Sequence, residues 1–325
     1  PDPVNSSGLK PWRIVSLAVV CLSLAGLPAH GGKVGFDLVT HNLNRLFDDK
    51  DDGNREKVVS SANYRKRLQQ IVDRISTEYD FAEVIAFQEV ENIDILQDIA
   101  DSLRRLHQQN YQAVLLEGND SSGIDVGYLV RQPLQIKAVE ALFQHRSYGD
   151  QQNKLFARPP LMLEICHRQC LVIINLHLRS MRDLRSIVKG QRVAEKRRLQ
   201  AEVLAGWVNR QQRLRPQQGL IITGDFNALT PSDAYVDSLG TILGQPDQRR
   251  PRWKSADLID TDLIDISRQL PTAQRYSYIY QGSKQQLDYI LVSQNLMQRV
   301  SAVEFGRLDY NFSDHAALKA SFSLE

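Results

Sequence analysis

Leu220-Ile221-Ile222-Thr223-Gly224-Asp225-Phe226-Asn227 is the stretch on which the fold turns. Its apolar first half reads as a buried strand. The strand ends in a glycine and presents a carboxylate and a carboxamide at its tip. In α/β proteins reactive groups collect at strand ends. Asp225 and Asn227 are two positions apart on an extended segment, so both point to one side. One accepts or coordinates, and the other can donate a hydrogen bond to a phosphate-like oxygen. A second motif near the C-terminus, Ser313-Asp314-His315, adds weight to the first.

Outward from this stretch the chain alternates strands and helices. Apolar runs predict strands over 34–41, 84–87, 126–130, 161–165, 171–178, 287–292 and 316–322. Phe36, Leu38 and Thr40 share one face of the first. Helical spacing of Leu68, Ile71, Val72 and Ile75 predicts a helix over 64–76, and Ile95, Ile99 and Leu103 another over 95–106. A third, basic helix over 192–211 carries Ala201, Leu204, Ala205 and Val208 on its apolar side. The stretch 240–254, with Gly244, Pro246 and Pro251, reads as a loop made basic by Arg249, Arg250, Arg252 and Lys254. Strands interrupted by a few helices imply an α/β fold of two packed mixed sheets flanked by helices, a four-layer sandwich.

With 325 residues the chain is long enough for a sizeable core. Its net charge of +2 does not mark a nucleic-acid binder, but the charge is unevenly spread. Between Arg182 and Arg215 ten Lys/Arg face three Asp/Glu, a local excess of +7. Such a run favours a polyanionic partner, the alternative being a solvated helix face.

Lys10 and Arg13 precede an apolar stretch over 14–27, followed by Leu27-Pro28-Ala29. That is the order of a secretory signal peptide, and the stretch is short for a membrane span. A retained signal-anchor is the alternative. Val20 before Cys21 fits a lipoprotein signal poorly. We therefore assign 1–30 to an N-terminal extension with signal character and 31–325 to one catalytic domain, secreted or periplasmic, monomeric and without a stable span. Cys166 and Cys170 remain, flanking His167-Arg168-Gln169. In an exported protein they read as a hairpin-end disulfide, otherwise as two free thiols. A zinc site through His167 lacks a second ligand pair.

Polar residues recur at or near the ends of the apolar strands: Asn42, Glu89, His177, Asp225 with Asn227, Asp288, and Asp314 with His315. A single strand-end Asp is usually a turn former. The recurrence calls for another explanation. Hard oxygens suit Mg²⁺ or Ca²⁺. Two histidines with carboxylates to orient them suit proton transfer near neutral pH. The combination points to metal-assisted hydrolysis of a phosphate ester.

Eight segments in order carry a family resemblance: Thr40-His41-Asn42-Leu43-Asn44, Gln88-Glu89-Val90-Glu91-Asn92, Gly123-Ile124-Asp125-Val126-Gly127, Arg158-Pro159-Pro160-Leu161, Asn175-Leu176-His177-Leu178-Arg179-Ser180, Gly224-Asp225-Phe226-Asn227, Gln286-Leu287-Asp288-Tyr289 and Ser313-Asp314-His315. The chain resembles the endonuclease/exonuclease/phosphatase superfamily, and most of all the extracellular nucleases of bacteria. The resemblance implies that Glu89 is the main Mg²⁺ ligand (Ca²⁺ or Mn²⁺ as alternatives), with Asn42 and Asp314 nearby. Asp225 and Asn227 would hold the scissile phosphate or a second metal and position the attacking water, and His315, oriented by Asp288, would transfer a proton. His177 would be the second histidine, oriented by Asp125. Arg158 and Arg179 would contact substrate phosphate, which implies a nucleic-acid partner, DNA alone or RNA as well. A phospholipid or phosphosugar phosphoesterase keeps the fold and changes the substrate. Against it, the signatures of inositol phosphatases and the aromatic insertion loop of sphingomyelinases are missing. A binding module without catalysis is disfavoured because every expected active-site residue type is present.

Overall fold

Both faces of the central strands are covered, which is why Leu220, Ile221 and Ile222 are consecutive and all apolar. A computed structural model describes residues 35–53, 57–167 and 169–323. The apolar stretch expected as a signal lies outside the described residues. Among the described residues no helix is long and apolar enough to cross a membrane.

The chain starts in β1 (Gly35–Leu46), crosses α1 (Ser61–Thr77) to β2 (Val84–Val90), and crosses α2 (Ile93–His107) to β3 (Tyr111–Leu115) and β4 (Asp125–Arg131). It then changes sheet at β5 (Gln135–Ala141). A small hairpin, β6 (Ser147–Tyr148) and β7 (Asp150–Lys154), precedes β8 (Leu161–Cys166) and β9 (Cys170–His177). The long helix α3 (Gly190–Leu214) leads to β10 (Gly219–Asp225), α4 (Ser238–Leu243) and β11 (Ile264–Asp265). A second hairpin, β12 (Tyr278–Tyr280) and β13 (Ser283–Gln285), precedes β14 (Asp288–Val292), α5 (Gln294–Met297), β15 (Val300–Phe305) and β16 (Leu318–Ser323).

Two six-stranded sheets result, ordered β15-β16-β1-β2-β4-β3 and β11-β14-β10-β9-β8-β5. Each has one parallel pair at its centre, β1 with β2 and β9 with β10. Alternation along the strands sorts the core into three layers. Phe36, Leu38 and Ala86 meet Leu163, Ile173 and Ile221 between the sheets. Val39, Ile85 and Phe87 point outward to Ile71, Ile75 and Ile99 of α1 and α2. Ile174, Leu220 and Ile222 point outward to Leu204, Ala205 and Val208 of α3. The four-layer sandwich expected from the sequence is thus present.

Four elements differ from expectation. Residues expected as loop at 240–254 begin inside α4. Leu239, Ile242 and Leu243 bury against α3, Asp237 caps the helix at Gly240 N, and Gly244 ends it in the left-handed region. Two glycines so close together obscured a helix of six residues. The edge strands β3, β5 and β15 also went unread, because half-exposed edges carry a weak apolar signal. The Cys166–Cys170 disulfide is formed and closes the β8–β9 hairpin.

Polar groups cross between the sheets at one end. Asn175 on β9 donates to the carbonyls of Phe87 and Gly127, both at 2.9 Å, and accepts from Gln88 Nε2 at 2.7 Å. Gln88 also donates to Thr40 Oγ1 at 3.0 Å. Asn175→Ala would leave two carbonyls and an amide buried without these partners. We expect it to destabilise the fold by about 2–4 kcal/mol. A urea midpoint that falls at unchanged slope would show this, and an unshifted midpoint would deny the network its role.

Candidate active site

Strand register brings the strand-end residues together. Asp225 is the partner of His177 on one side and of Asp288 on the other, so the three form a row across β9, β10 and β14. Asn42 is the partner of Gln88 on the facing sheet, and Glu89 follows at an irregularity in the β1–β2 and β2–β4 pairing. The backbone of Glu89 is left-handed (φ 62°), as is that of Asn227 (φ 48°). Non-glycine residues held in this region cluster at functional sites. Gly224 is required: a Cβ there would lie 2.1 Å from the Leu176 carbonyl oxygen, and its φ is 125°.

Asp225 is the hub. Its Oδ1 accepts from Asn227 N at 2.8 Å. Its Oδ2 lies 3.1 Å from Asn42 Nδ2, 3.4 Å from His177 Nε2 and 3.9 Å from His315 Nε2. Asn42 Nδ2 also reaches Glu89 Oε1 at 3.2 Å, and the same Glu89 oxygen is 3.9 Å from His177 Nε2. His315 Nδ1 bonds Asp288 Oδ2 at 2.7 Å, and Asp288 is fully buried. The two histidines differ electrically. Burial, reinforced by the charges of Arg158 and His315, holds the pKa of His177 well below the ordinary value. Burial also opposes charge on His315, but the Asp288, Asp225 and Asp314 carboxylates outweigh it and raise its pKa. Burial raises the Asp225 carboxyl; His315 opposes this, while Asp288 and Glu89 add to it.

A model of the Endonuclease/Exonuclease/phosphatase family matches residues 38–316. The chain belongs to that family. Enzymes of this family are metal-dependent phosphoesterases, and this chain is one of them. No curated protein sequence matches it significantly. Among solved structures, an endonuclease/exonuclease/phosphatase protein from Bacteroides vulgatus is similar at 15% identity, with a TM-score of 0.60 over 90% of this chain and 100% of that one. An AP endonuclease from Archaeoglobus fulgidus is 15% identical, with a TM-score of 0.57 over 89% and 100%. The 3′ phosphatase NExo from Neisseria, bound to a product DNA hairpin, is 17% identical, with a TM-score of 0.55 over 88% and 99%.

The donor set of this family member fits a cation. Asp225, Asp288 and His315 bring ligand atoms within 4.8 Å of one another in a buried group that could hold a metal ion. The His315–Asp288 hydrogen bond already occupies two of those groups. Glu89 and Asp225 offer hard oxygens at the same place, with Asn42 Nδ2 between them and its Oδ1 accepting from Asn44 N at 3.0 Å. The mutual repulsion of Glu89, Asp225 and Asp288 favours a positive charge among them. Asp314 is partly buried beside His315, close enough for its charge to raise that histidine's pKa.

Arg158 stands near His177, paired with Asp120. Arg179 bonds Ser180 Oγ at 2.7 Å and reaches the Arg182 carbonyl. Asp125 does not orient His177. It accepts from Gly118 N at 3.0 Å, while Nδ1 of His177 is buried without a partner. The basic helix also needs correcting. Arg197 is not a surface cation: it is 1% exposed and donates to the carbonyls of Arg179 at 2.6 Å and Asn227 at 2.9 Å. Its position four residues before Ala201 and seven before Leu204 puts it on the apolar stripe, a signal available in the sequence.

Three further supports have partners that the sequence does not reveal. Ser313 Oγ donates to the Asn42 carbonyl at 2.7 Å and accepts from His315 N. Ser277 Oγ receives the Leu287 and Asp288 amides. His41 Nε2 donates to the His315 carbonyl at 2.9 Å, which leaves its Nδ1 to accept from the Tyr79 hydroxyl.

Asp125 generates a pH prediction. Burial raises its carboxyl to about 7, with the Gly118 amide opposing and Glu117 and Asp120 reinforcing. The folded pKa lies above the ordinary value of 3.8, so the folded state binds the proton more tightly. The stability this contributes is present below that ordinary value and is lost as pH rises through about 7. Asp125→Asn keeps an acceptor for Gly118 and cannot ionise. Relative to wild type it should gain on the order of 4 kcal/mol in mildly alkaline buffer and nothing in acid. Equal urea midpoint differences at both pH extremes would contradict this.

Proposed function

We propose that the protein is an exported, divalent-metal-dependent nuclease that hydrolyses phosphodiester bonds of DNA, with RNA as a further substrate. The observation that carries this reading is the row His177–Asp225–Asp288 facing Asn42 and Glu89, with His315 held against Asp288. The disulfide and the signal-like stretch over 14–27 support export to the periplasm or medium.

In this reading Glu89, with Asn42 and Asp314, holds the ion, best matched by Mg²⁺ among hard cations. When bound, the ion offsets charge that develops on the phosphate oxygens. Arg158 and Arg179 add to that offset, a task suited to a fork of donors. Asp225 and Asn227 position water and phosphate. The histidines approach Asp225 Oδ2 through Nε2, at 3.4 Å for His177 and 3.9 Å for His315. One takes the proton of the attacking water, and the other gives a proton to the leaving oxygen. Asp288 fixes the ring of His315 so that Nε2 faces the reacting atoms.

His177→Ala and His315→Ala should each lower kcat by ~10²–10⁴ in plasmid nicking while circular dichroism and melting stay close to wild type. Near-normal turnover in either variant would remove that histidine from the mechanism. EDTA should abolish nicking and added Mg²⁺ restore it. Metal-independent cleavage, or turnover only of lipid or inositol phosphates, would reverse the assignment.

A further inference from the structure

A cavity of about 480 Å³ lies beside the start of α3, away from the strand-end row. Tyr148, Asn153, Val188, Gln191, Arg192 and Glu195 line it, and the Tyr148 hydroxyl donates to Glu195 Oε2 at 3.1 Å. The chain itself connects this cavity to the active site. From Asn153, the Lys154 carbonyl accepts from Lys196 Nζ at 2.9 Å and the Leu155 carbonyl from Gln200 Nε2 at 2.8 Å. Arg158, beside His177, is five residues on, at most about 17 Å away along an extended chain. Gln200 Oε1 in turn accepts from Arg179 N at 3.0 Å. The chain segments that join the two sites therefore carry Arg158, which is paired with Asp120, together with Arg179 and Lys196.

These cations crowd one another. Burial and the charges of Arg179, Arg192 and Arg158 push the pKa of Lys196 down, with Asp120 opposing. Lys196 and Arg192 both lie about 5.9 Å from the Tyr148 ring centre. At the rim, Val188 is 88% and Ile187 103% exposed, with Arg185 and Lys189 exposed on either side. A bare aliphatic pair within a cationic rim complements a ligand that is anionic along its backbone and apolar on its faces. A nucleic-acid strand has that pattern.

We propose that this cavity is a nucleotide subsite, in which a phosphate flanking the scissile one runs along Arg158, Arg179 and Lys196 and the attached nucleoside sits against Tyr148, Val188 and Arg192. The proposal rests on the nuclease reading and deepens it. A cavity of this size takes one unstacked nucleotide, which a paired duplex interior does not present. The favoured substrate class is therefore a strand with unpaired nucleotides next to the cleaved bond.

Arg192→Glu and Val188→Asp alter exposed positions and test the idea. Wild type and variants are compared on a single-stranded DNA dodecamer, a blunt duplex and bis(p-nitrophenyl) phosphate. For each variant, kcat/KM on the single strand should fall about tenfold more than on the minimal diester, and the preference for single strand over duplex should shrink with it. Anisotropy of the labelled dodecamer in EDTA should show weaker binding, and the salt slope should flatten by about 0.7 for each phosphate that Arg192→Glu no longer neutralises. A wild type that cleaves DNA while the variants lose equally on all substrates, or on none, overturns the subsite alone. Tighter association of wild type than of variants with phosphatidylserine vesicles, at equal dodecamer binding, overturns it in favour of a membrane surface. A wild type that cleaves no nucleic acid overturns the nuclease reading and the subsite with it.

Discussion

The amide of Asn175 holds the two sheets together where the chemistry is. It reaches from β9 to carbonyls on β2 and β4 and takes the amide of Gln88 in return. Thr40 completes the group through Gln88. Each strand then carries its functional residue one or two positions further on: Asn42 after Thr40, Glu89 after Gln88, His177 after Asn175. A buried polar network tolerates little displacement, because every misplaced member leaves an unsatisfied group in a low-dielectric interior. Pinning the strands just behind the site thus fixes the spacing between Glu89 on one sheet and Asp225 on the other. Apolar packing alone between Leu38, Ile173 and Ile221 is non-directional and would specify that spacing less sharply.

Beyond the network the backbone is strained. Glu89 and Asn227 occupy the left-handed region at a cost of about 1–3 kcal/mol each. Local contacts hold both in place. Asn42 Nδ2 lies between the Glu89 and Asp225 carboxylates, and Asp225 Oδ1 accepts the amide of Asn227. Arg197 adds a second hold by taking the Asn227 and Arg179 carbonyls into the helix. A residue that reads as part of a charged surface thereby becomes the attachment of α3 to the rim of the site.

Much of this was legible from pattern. Strands buried on both faces leave unbroken apolar runs, so β9, β10 and β14 could be read directly. The polar residues at their ends stood out against those runs, and Asn42, Glu89, His177, Asp225, Asp288 and His315 do converge. What was not legible depends on contacts between distant segments. Asp125 sits at a strand end like the others, but its strand brings it to Gly118 and not to His177. His41 alternates away from the apolar face that Leu38 shares, and only the folded chain shows it bonding the His315 carbonyl. Arg197 is the instructive case, because helical spacing placed it on the buried stripe while its charge argued for the surface. Spacing proved the better guide, since the stem and guanidinium of an arginine can be buried when carbonyls and a carboxylate receive its donors.

The charge layout explains why the net value says so little about function. Carboxylates of Glu89, Asp225 and Asp288 gather at the centre, and cations of Arg158, Arg179 and Lys196 border it. The two nearly cancel in the total, yet they act on a phosphodiester in opposite senses. The border attracts an anionic ester. The centre repels the phosphate that must react, and two like charges about 4 Å apart interact by roughly 4 kcal/mol at an effective dielectric of 20. A divalent cation among the central oxygens reverses that sign. Metal and substrate binding are therefore coupled by electrostatics before any chemistry begins: each should bind more tightly in the presence of the other, and by the same factor.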